Sequence, residues 1–228
     1  PRLFDLVPRY IEKYGYKDCL FAGKVDRQWV KYNGQKFYEM TNAISHGLLK
    51  LGVKRGDRIA LIATNCPEWN MIDFAIQQVG AICIPIYPTI SHADYEHIFK
   101  HSEASIVFIT NKHLYNKVSD IIAATPTIKE TYLIKASEGL KSLQELIDLG
   151  NENKDAETLE ARKAEVKNED VATILYTSGT MGTPKGVMLT HRNILSIVEY
   201  LCPLYPINET HNALSYLPLS HIYERAVQ

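Results

Sequence analysis

The chain has 228 residues, 46% of them hydrophobic and 22% charged, which supports a sizeable core and excludes the low-hydropathy, high-charge regime of disordered segments. Its 25 Lys plus Arg against 26 Asp plus Glu give a formal net charge of -1, so no global field draws the chain toward nucleic acid or anionic lipid. Cys19, Cys66, Cys83 and Cys202 are scattered without a C-x-x-C pair and read as buried thiols of a reducing compartment rather than as staples. Apolar runs stay shorter than a membrane span, and charge interrupts the first residues, so the chain reads as cytoplasmic, without a transmembrane segment or signal peptide.

In chain order, Leu3, Phe4, Leu6, Val7, Tyr10 and Ile11 form a helical face. Mixed Arg and Asp charges favour packing on the domain over an interfacial membrane helix. Phe37, Met40, Ile44, Leu48 and Leu51 recur at steps of three and four, and Gly52 follows as a C-cap. A polar turn at 54–57 leads to a buried strand over 58–64, and Pro67 opens a helix carrying Trp69, Ile72, Phe74, Ile76 and Val79. The strand 81–85 precedes a helix started by Ser91 with Asp94 three residues on. Strand 105–110, helix 114–122 and strand 131–135 continue the alternation.

Strand–helix alternation of this kind implies an α/β fold of mostly parallel strands flanked by helices, with ligands bound beyond the carboxyl ends of the strands. Between 150 and 170 more than half the residues are charged, a solvated helix or linker. The expected organisation is therefore a first lobe over 1–150, a charged linker over 151–170, and the start of a second lobe over 171–228. His97 and His101, spaced i, i+4, lack the carboxylate of H-E-x-x-H and an evident third ligand, and read as a solvated face.

Chemistry shows in one segment. The strand-like Val171-Ala-Thr-Ile-Leu-Tyr176 runs into Thr177-Ser-Gly-Thr-Met-Gly-Thr-Pro-Lys-Gly186, and a helix begins near Thr190. Gly179, Gly182 and Gly186 let the backbone approach a ligand; Ser178, Thr180 and Thr183 offer hydroxyls, and Lys185 a positive charge on an exposed loop. Those are the parts of a phosphate cradle. The bland alternative is a Gly/Ser/Thr hairpin whose lysine faces solvent. A Walker A loop fails, with Pro184 in place of its second glycine and Gly186 in place of its hydroxyl, and no G-x-G pair exists for a dinucleotide fingerprint. A G-x-S-x-G elbow is likewise missing.

Tyr176-Thr-Ser-Gly-Thr-Met-Gly-Thr-Pro-Lys-Gly-Val187, with Leu189-Thr-His-Arg-Asn193 after it, resembles the signature loop of the acyl-adenylate-forming superfamily: acyl-CoA synthetases, luciferases and peptide-synthetase adenylation domains. Leu217-Pro-Leu-Ser-His-Ile-Tyr-Glu-Arg225 is similar to the next motif in its long-chain acyl-CoA synthetase form. Gly52-Val-Lys-Arg-Gly-Asp-Arg-Ile59 and Asn65-Cys-Pro-Glu-Trp69 match the family's N-terminal region more weakly. Met181 departs from the family's usual Thr or Ser.

The resemblance implies an N-terminal domain portion of the acyl-adenylate-forming fold, belonging to a longer enzyme and inactive alone, because the family's later metal, ribose and adenylation-lysine motifs do not occur in it. It implies ATP-dependent activation of a long-chain fatty acid to acyl-AMP and transfer to coenzyme A, with Mg2+ as metal ion and the fatty acid, ATP and CoA as partners. No nucleic acid is implied, and peripheral membrane association stays open. By the same resemblance Thr177, Ser178, Gly179, Thr180, Gly182, Thr183, Lys185 and Gly186 bind the nucleotide, Thr180 lies nearest the metal, and His221 lies beside the acyl carboxylate as the catalytic candidate. Glu224 and Arg225 are weaker candidates, as an ion pair or gate element. The alternatives are a synthetase for another carboxylate (aryl, medium-chain or carrier-loading) and a nucleotide-binding module without chemistry.

Overall fold

The computed structural model describes residues 1–177, 182–204 and 208–227. A 3-10 turn at Leu3–Asp5 leads into α1 (Leu6–Tyr14), and Leu3, Phe4 and Val7 are buried, as expected for a helix packed on the domain. An antiparallel hairpin absent from the sequence reading follows, β1 (Phe21–Val25) and β2 (Gln28–Tyr32). Its turn holds Asp26 and Arg27 at φ 48° and 66°. Such left-handed pairs ordinarily announce themselves by Asn or Gly, and here neither residue is present.

Helix α2 (Gly34–Lys50) starts under Asn33, whose side chain accepts from the Lys36 N–H. It ends in the expected glycine cap: Gly52, at φ 82°, donates to the Leu49 carbonyl and Val53 to that of Leu48, satisfying the last turn. The alternating units follow as β3 (Arg58–Ile62), α3 (Pro67–Gln78), β4 (Ile82–Ile86), α4 (His92–Ser102), β5 (Ile106–Ile109), α5 (Lys112–Ala123) and β6 (Glu130–Leu133). Then come α6 (Leu143–Glu152), α7 (Ala156–Glu165), β7 (Val171–Thr177), β8 (Lys185–Thr190), α8 (His191–Leu201) and α9 (Ile222–Val227).

The main sheet has the order β6-β5-β3-β4-β7-β8, parallel except for β8. Side chains alternate between its faces: Ile59, Leu61, Cys83, Ile106 and Phe108 pack with α2, α3 and α6, whereas Ala60, Ile62, Ile84, Val107 and Ile109 pack with α4 and α5. Covering both faces requires apolar residues at every position, the reason these strands read as continuous runs rather than alternating ones. The fold is α/β, a mostly parallel sheet flanked by helices.

Within residues 151–170, α7 sends Leu159 into the core and buries Lys163, whose Nζ lies 2.7 Å from Glu160 Oε1 and 3.3 Å from Tyr38 Oη. The strands on either side of this charged stretch share one sheet. All four cysteines are free thiols, but only Cys83 is fully buried; Cys19 and Cys66 are half-buried and Cys202 is exposed. Among the described residues no helix is long and apolar enough to cross a membrane.

Helices α2 and α6 touch through glycines. A Cβ on Gly150 would lie 1.8 Å from the Ala43 carbonyl oxygen, and one on Gly47 2.5 Å from that of Leu146. Helix propensity favours Gly150→Ala by about 1 kcal/mol, while overpacking costs about 1–3 kcal/mol. Backbone atoms cannot swing aside as a flexible side chain can, so the net effect is destabilising. Thermal unfolding of Gly150→Ala should show a melting temperature lower by several degrees; an unchanged value would mean the helices separate freely.

His191, the first residue of α8, is 1% exposed, accepts from the Leu3 N–H at Nδ1 (3.2 Å) and meets the Phe4 ring edge-on. Burial pushes its pKa down to about 4 from 6.5, and a helix N-terminus also disfavours a cation. In the unfolded chain the imidazole protonates near its ordinary value. Stability linked to it is therefore complete above about pH 6.5 and is lost as pH falls toward 4, by about 3 kcal/mol in all. Melting curves from pH 7.5 to 4.5 should fall more steeply for the native chain than for His191→Asn. Parallel slopes would remove His191 from the acid response.

Candidate functional site

β7 and β8 form an antiparallel hairpin at the sheet edge. One register pair, Cys83 with Thr173, joins β7 to β4, and the fully buried Thr173 hydroxyl donates to the Cys83 carbonyl at 2.8 Å. Beyond that point β7 pairs with β8 alone: Leu175 faces Val187, Tyr176 faces Gly186 and Thr177 faces Lys185. The loop expectation for Lys185 and Gly186 is thereby corrected, since both open β8. The ladder extends that far because the Val187, Met188 and Leu189 backbone has β7 as partner. Glycine is needed at 186, where a Cβ would come within 2.8 Å of Ile174 Cγ2 and 3.4 Å of Tyr176 Cζ.

Thr177, Gly182, Thr183 and Lys185 are exposed around this turn, and Gly182 takes a left-handed φ of 86°. Ser178, Gly179 and Thr180 lie outside the described residues. Hydroxyls and an ammonium presented past the carboxyl end of a parallel strand suit a polyanion.

Helix α4 meets the hairpin through two residues that the sequence reading placed on a solvated face. His97 Nε2 donates to the Pro184 carbonyl at 2.9 Å, and His101 Nδ1 lies 2.7 Å from Tyr176 Oη. The two imidazoles stack at 5.4 Å, with the Tyr176 ring edge-on to both at 6.4 and 5.8 Å. Burial raises the Tyr176 phenol above its ordinary pKa, so it remains a neutral hydroxyl. His101 is exposed as expected, but its ring is engaged; the i, i+4 spacing serves the hairpin. A cleft of about 330 Å³ opens beside these contacts, bordered by His101, Tyr176, Gly186, Met188 and the Arg58–Glu103 ion pair.

The segment carrying His221 is fastened to the carboxyl end of β3. Asn65 Nδ2 donates to the Leu217 carbonyl (2.7 Å) and Ser215 Oγ (2.8 Å), and its Oδ1 accepts from the Leu219 N–H (3.0 Å). His221 is exposed; its Nδ1 accepts from the Tyr223 N–H at 3.2 Å, leaving Nε2 as the protonated nitrogen of the neutral ring. Arg225 does not pair with Glu224, because consecutive helical residues do not face each other. It pairs instead with Asp73 of α3, Nε to Oδ2 at 3.0 Å, with both side chains buried and the guanidinium 5.5 Å over the Trp69 ring.

No hydrogen bond or ion pair joins His221 to the hairpin among the described residues. Nor does any group of three His, Cys, Asp or Glu there suit a metal ion, and Thr180, the metal candidate, lies outside them. Sequence reasoning gave no role to Asn65, His97 or His101 as anchors. Asn65 stood in a quoted motif, but its partners are some 150 residues away, at Ser215 and Leu217.

Comparisons with known proteins place the chain in a family. The model of the AMP-binding enzyme family matches residues 8–228. The long-chain-fatty-acid–CoA ligase FadD15 of Mycobacterium bovis is 33% identical over 210 residues, covering 91% of this chain and 35% of that protein. A chloroplastic long-chain-fatty-acid–[acyl-carrier-protein] ligase, AEE15 of Arabidopsis thaliana, is 33% identical over 230 residues, covering 94% of this chain and 32% of its own. The crystal structure of a long-chain-fatty-acid-CoA ligase, FadD1 of Archaeoglobus fulgidus, superposes with a TM-score of 0.82 at 25% identity, over 100% of this chain and 44% of that one. The chain thus spans about a third of the length of the curated relatives it matches. With the family match covering nearly every residue, the edge hairpin and its turn sit in a chain that belongs to the AMP-binding enzyme family.

Proposed function

We propose that this chain is the N-terminal part of an enzyme that activates a long-chain fatty acid with ATP and passes the acyl group to coenzyme A. The observation that carries the reading is the hairpin turn beyond β7, with Thr177, Gly182, Thr183 and Lys185 exposed around it, in a chain about a third identical to long-chain fatty acid ligases. A carboxylate oxygen attacks the α-phosphorus of ATP and the bond to pyrophosphate breaks. The CoA thiolate then attacks the acyl carbon of the mixed anhydride and AMP leaves.

Both partners of the first step are anions, so the protein's task is to position them and offset charge. In this reading Lys185, the backbone N–H groups of the turn and the hydroxyls of Ser178, Thr180 and Thr183 hold the phosphates. His221 lies beside the acyl carboxylate, on a segment that Asn65 tethers to the carboxyl end of β3. The described residues offer no carboxylate cluster for a cation; Mg2+ would come with the phosphates, keeping several waters, and neutralise their charge.

A second reading differs in the thiol. The Arabidopsis relative is named for an acyl carrier protein, so a phosphopantetheine carrier replaces CoA as acceptor in that case. The deciding assay is carboxylate-dependent exchange of labelled pyrophosphate into ATP by the protein of the full reading frame, with long-chain, medium-chain and aromatic acids, followed by offering CoA or acyl carrier protein. Exchange with long-chain acids and thioester formation on CoA are expected. Folded protein that binds ATP but exchanges with no acid would instead be a nucleotide-binding module.

Lys185→Ala should lower kcat/KM for ATP by about ten- to hundredfold, the worth of one charge-assisted hydrogen bond. Because Lys185 is exposed, circular dichroism and melting temperature should stay as in the parent. Unchanged kinetics would remove Lys185 from the site.

A further inference from the structure

Resting on the phosphate-binding reading of the turn, we propose that His97 and His101 are positioning residues that clamp the two ends of the β7–β8 turn onto helix α4. The two hydrogen bonds fall on opposite sides of the turn. His101 holds Tyr176, the next-to-last residue of β7, through its hydroxyl; His97 holds Pro184, the residue before β8, through its carbonyl. Since a carbonyl only accepts, His97 must carry its proton on Nε2.

β7 is in register with β4 at Thr173, three residues before Tyr176, Ile174 and Tyr176 pack against the core on the α4 side of the sheet, and β8 lies at the sheet edge, so the two hydrogen bonds from α4 act at the end of the hairpin nearest the turn. Stacked one turn apart on a rigid helix, the two imidazoles flank Tyr176 edge-on and fix its ring as well as its hydroxyl. Gly186 completes the arrangement by leaving room for that ring across the ladder. The clamp thus acts on Tyr176 and Pro184, the residues flanking the turn. For a reaction that depends on placing phosphates, displacement of the cradle costs affinity and alignment.

The test has two arms, both on the protein of the full reading frame. Hydrogen exchange at the backbone amides of 182–190 reads the clamp itself, and pyrophosphate exchange reads its consequence. His97→Ala, His101→Phe and Tyr176→Phe should each speed amide exchange in that segment and raise KM for ATP about fivefold, the worth of one lost hydrogen bond, with a smaller change in kcat. His97→Gln, which restores an N–H donor, should recover most of the loss. Unchanged amide exchange in all three variants would overturn the clamp. Faster amide exchange with KM for ATP unmoved would overturn its positioning role. If the native protein exchanges pyrophosphate with no acid, the acid-activation reading fails, and the amide-exchange arm alone decides whether the histidines hold the hairpin.

Discussion

The Thr173 hydroxyl, buried among apolar strands and donating to the Cys83 carbonyl at 2.8 Å, is the contact on which the placement of the site depends. It lies at the register pair between β4 and β7. An unpaired buried hydroxyl costs about 1–3 kcal/mol, so the bond helps to seat β7 beside β4. Past it the strand is committed to its antiparallel partner, and the turn emerges where a parallel sheet ordinarily receives ligands.

Three further attachments fix the hairpin, the segment before His221 and α9, and each joins parts of the chain far apart in sequence. The imidazoles of α4 take the hairpin from one side. Asn65 takes up two backbone groups of the segment before His221. Asp73 and Arg225 lock α9 to α3 beneath the Trp69 ring. That last pair is buried on both sides, so losing one partner would strand a charge in the core. The arrangement supports exposed side chains on buried or half-buried anchors.

Much of the fold was legible from apolar spacing. The steps of three and four in α2, the glycine cap at Gly52, Pro67 at the start of α3, and the uninterrupted runs of β3 and β5 each follow from a local rule that the structure obeys. The β1–β2 hairpin escaped because Asp26 and Arg27 adopt left-handed backbone without the glycine or asparagine that would signal it. The charged stretch before β7 left helix and linker both open, and α7 takes the helical alternative with Leu159 and Lys163 turned inward. Lys185 and Gly186 were read as loop because nothing local shows that Thr177 and Tyr176 lie opposite them.

The sequence by itself determined the α/β class, the position of the Gly/Ser/Thr-rich motif after a buried strand and the family resemblance, since periodicity, caps and turn chemistry act over a few residues. Tertiary structure alone decided that β8 reverses to pair with β7, that Arg225 answers Asp73 rather than its neighbour Glu224, and that His97 and His101 hydrogen-bond to the hairpin. Each of those outcomes is a contact across 75 to 152 residues or a choice among equally suitable partners. Hydrogen-bond complementarity is local in space but not along the chain, and packing makes the selection.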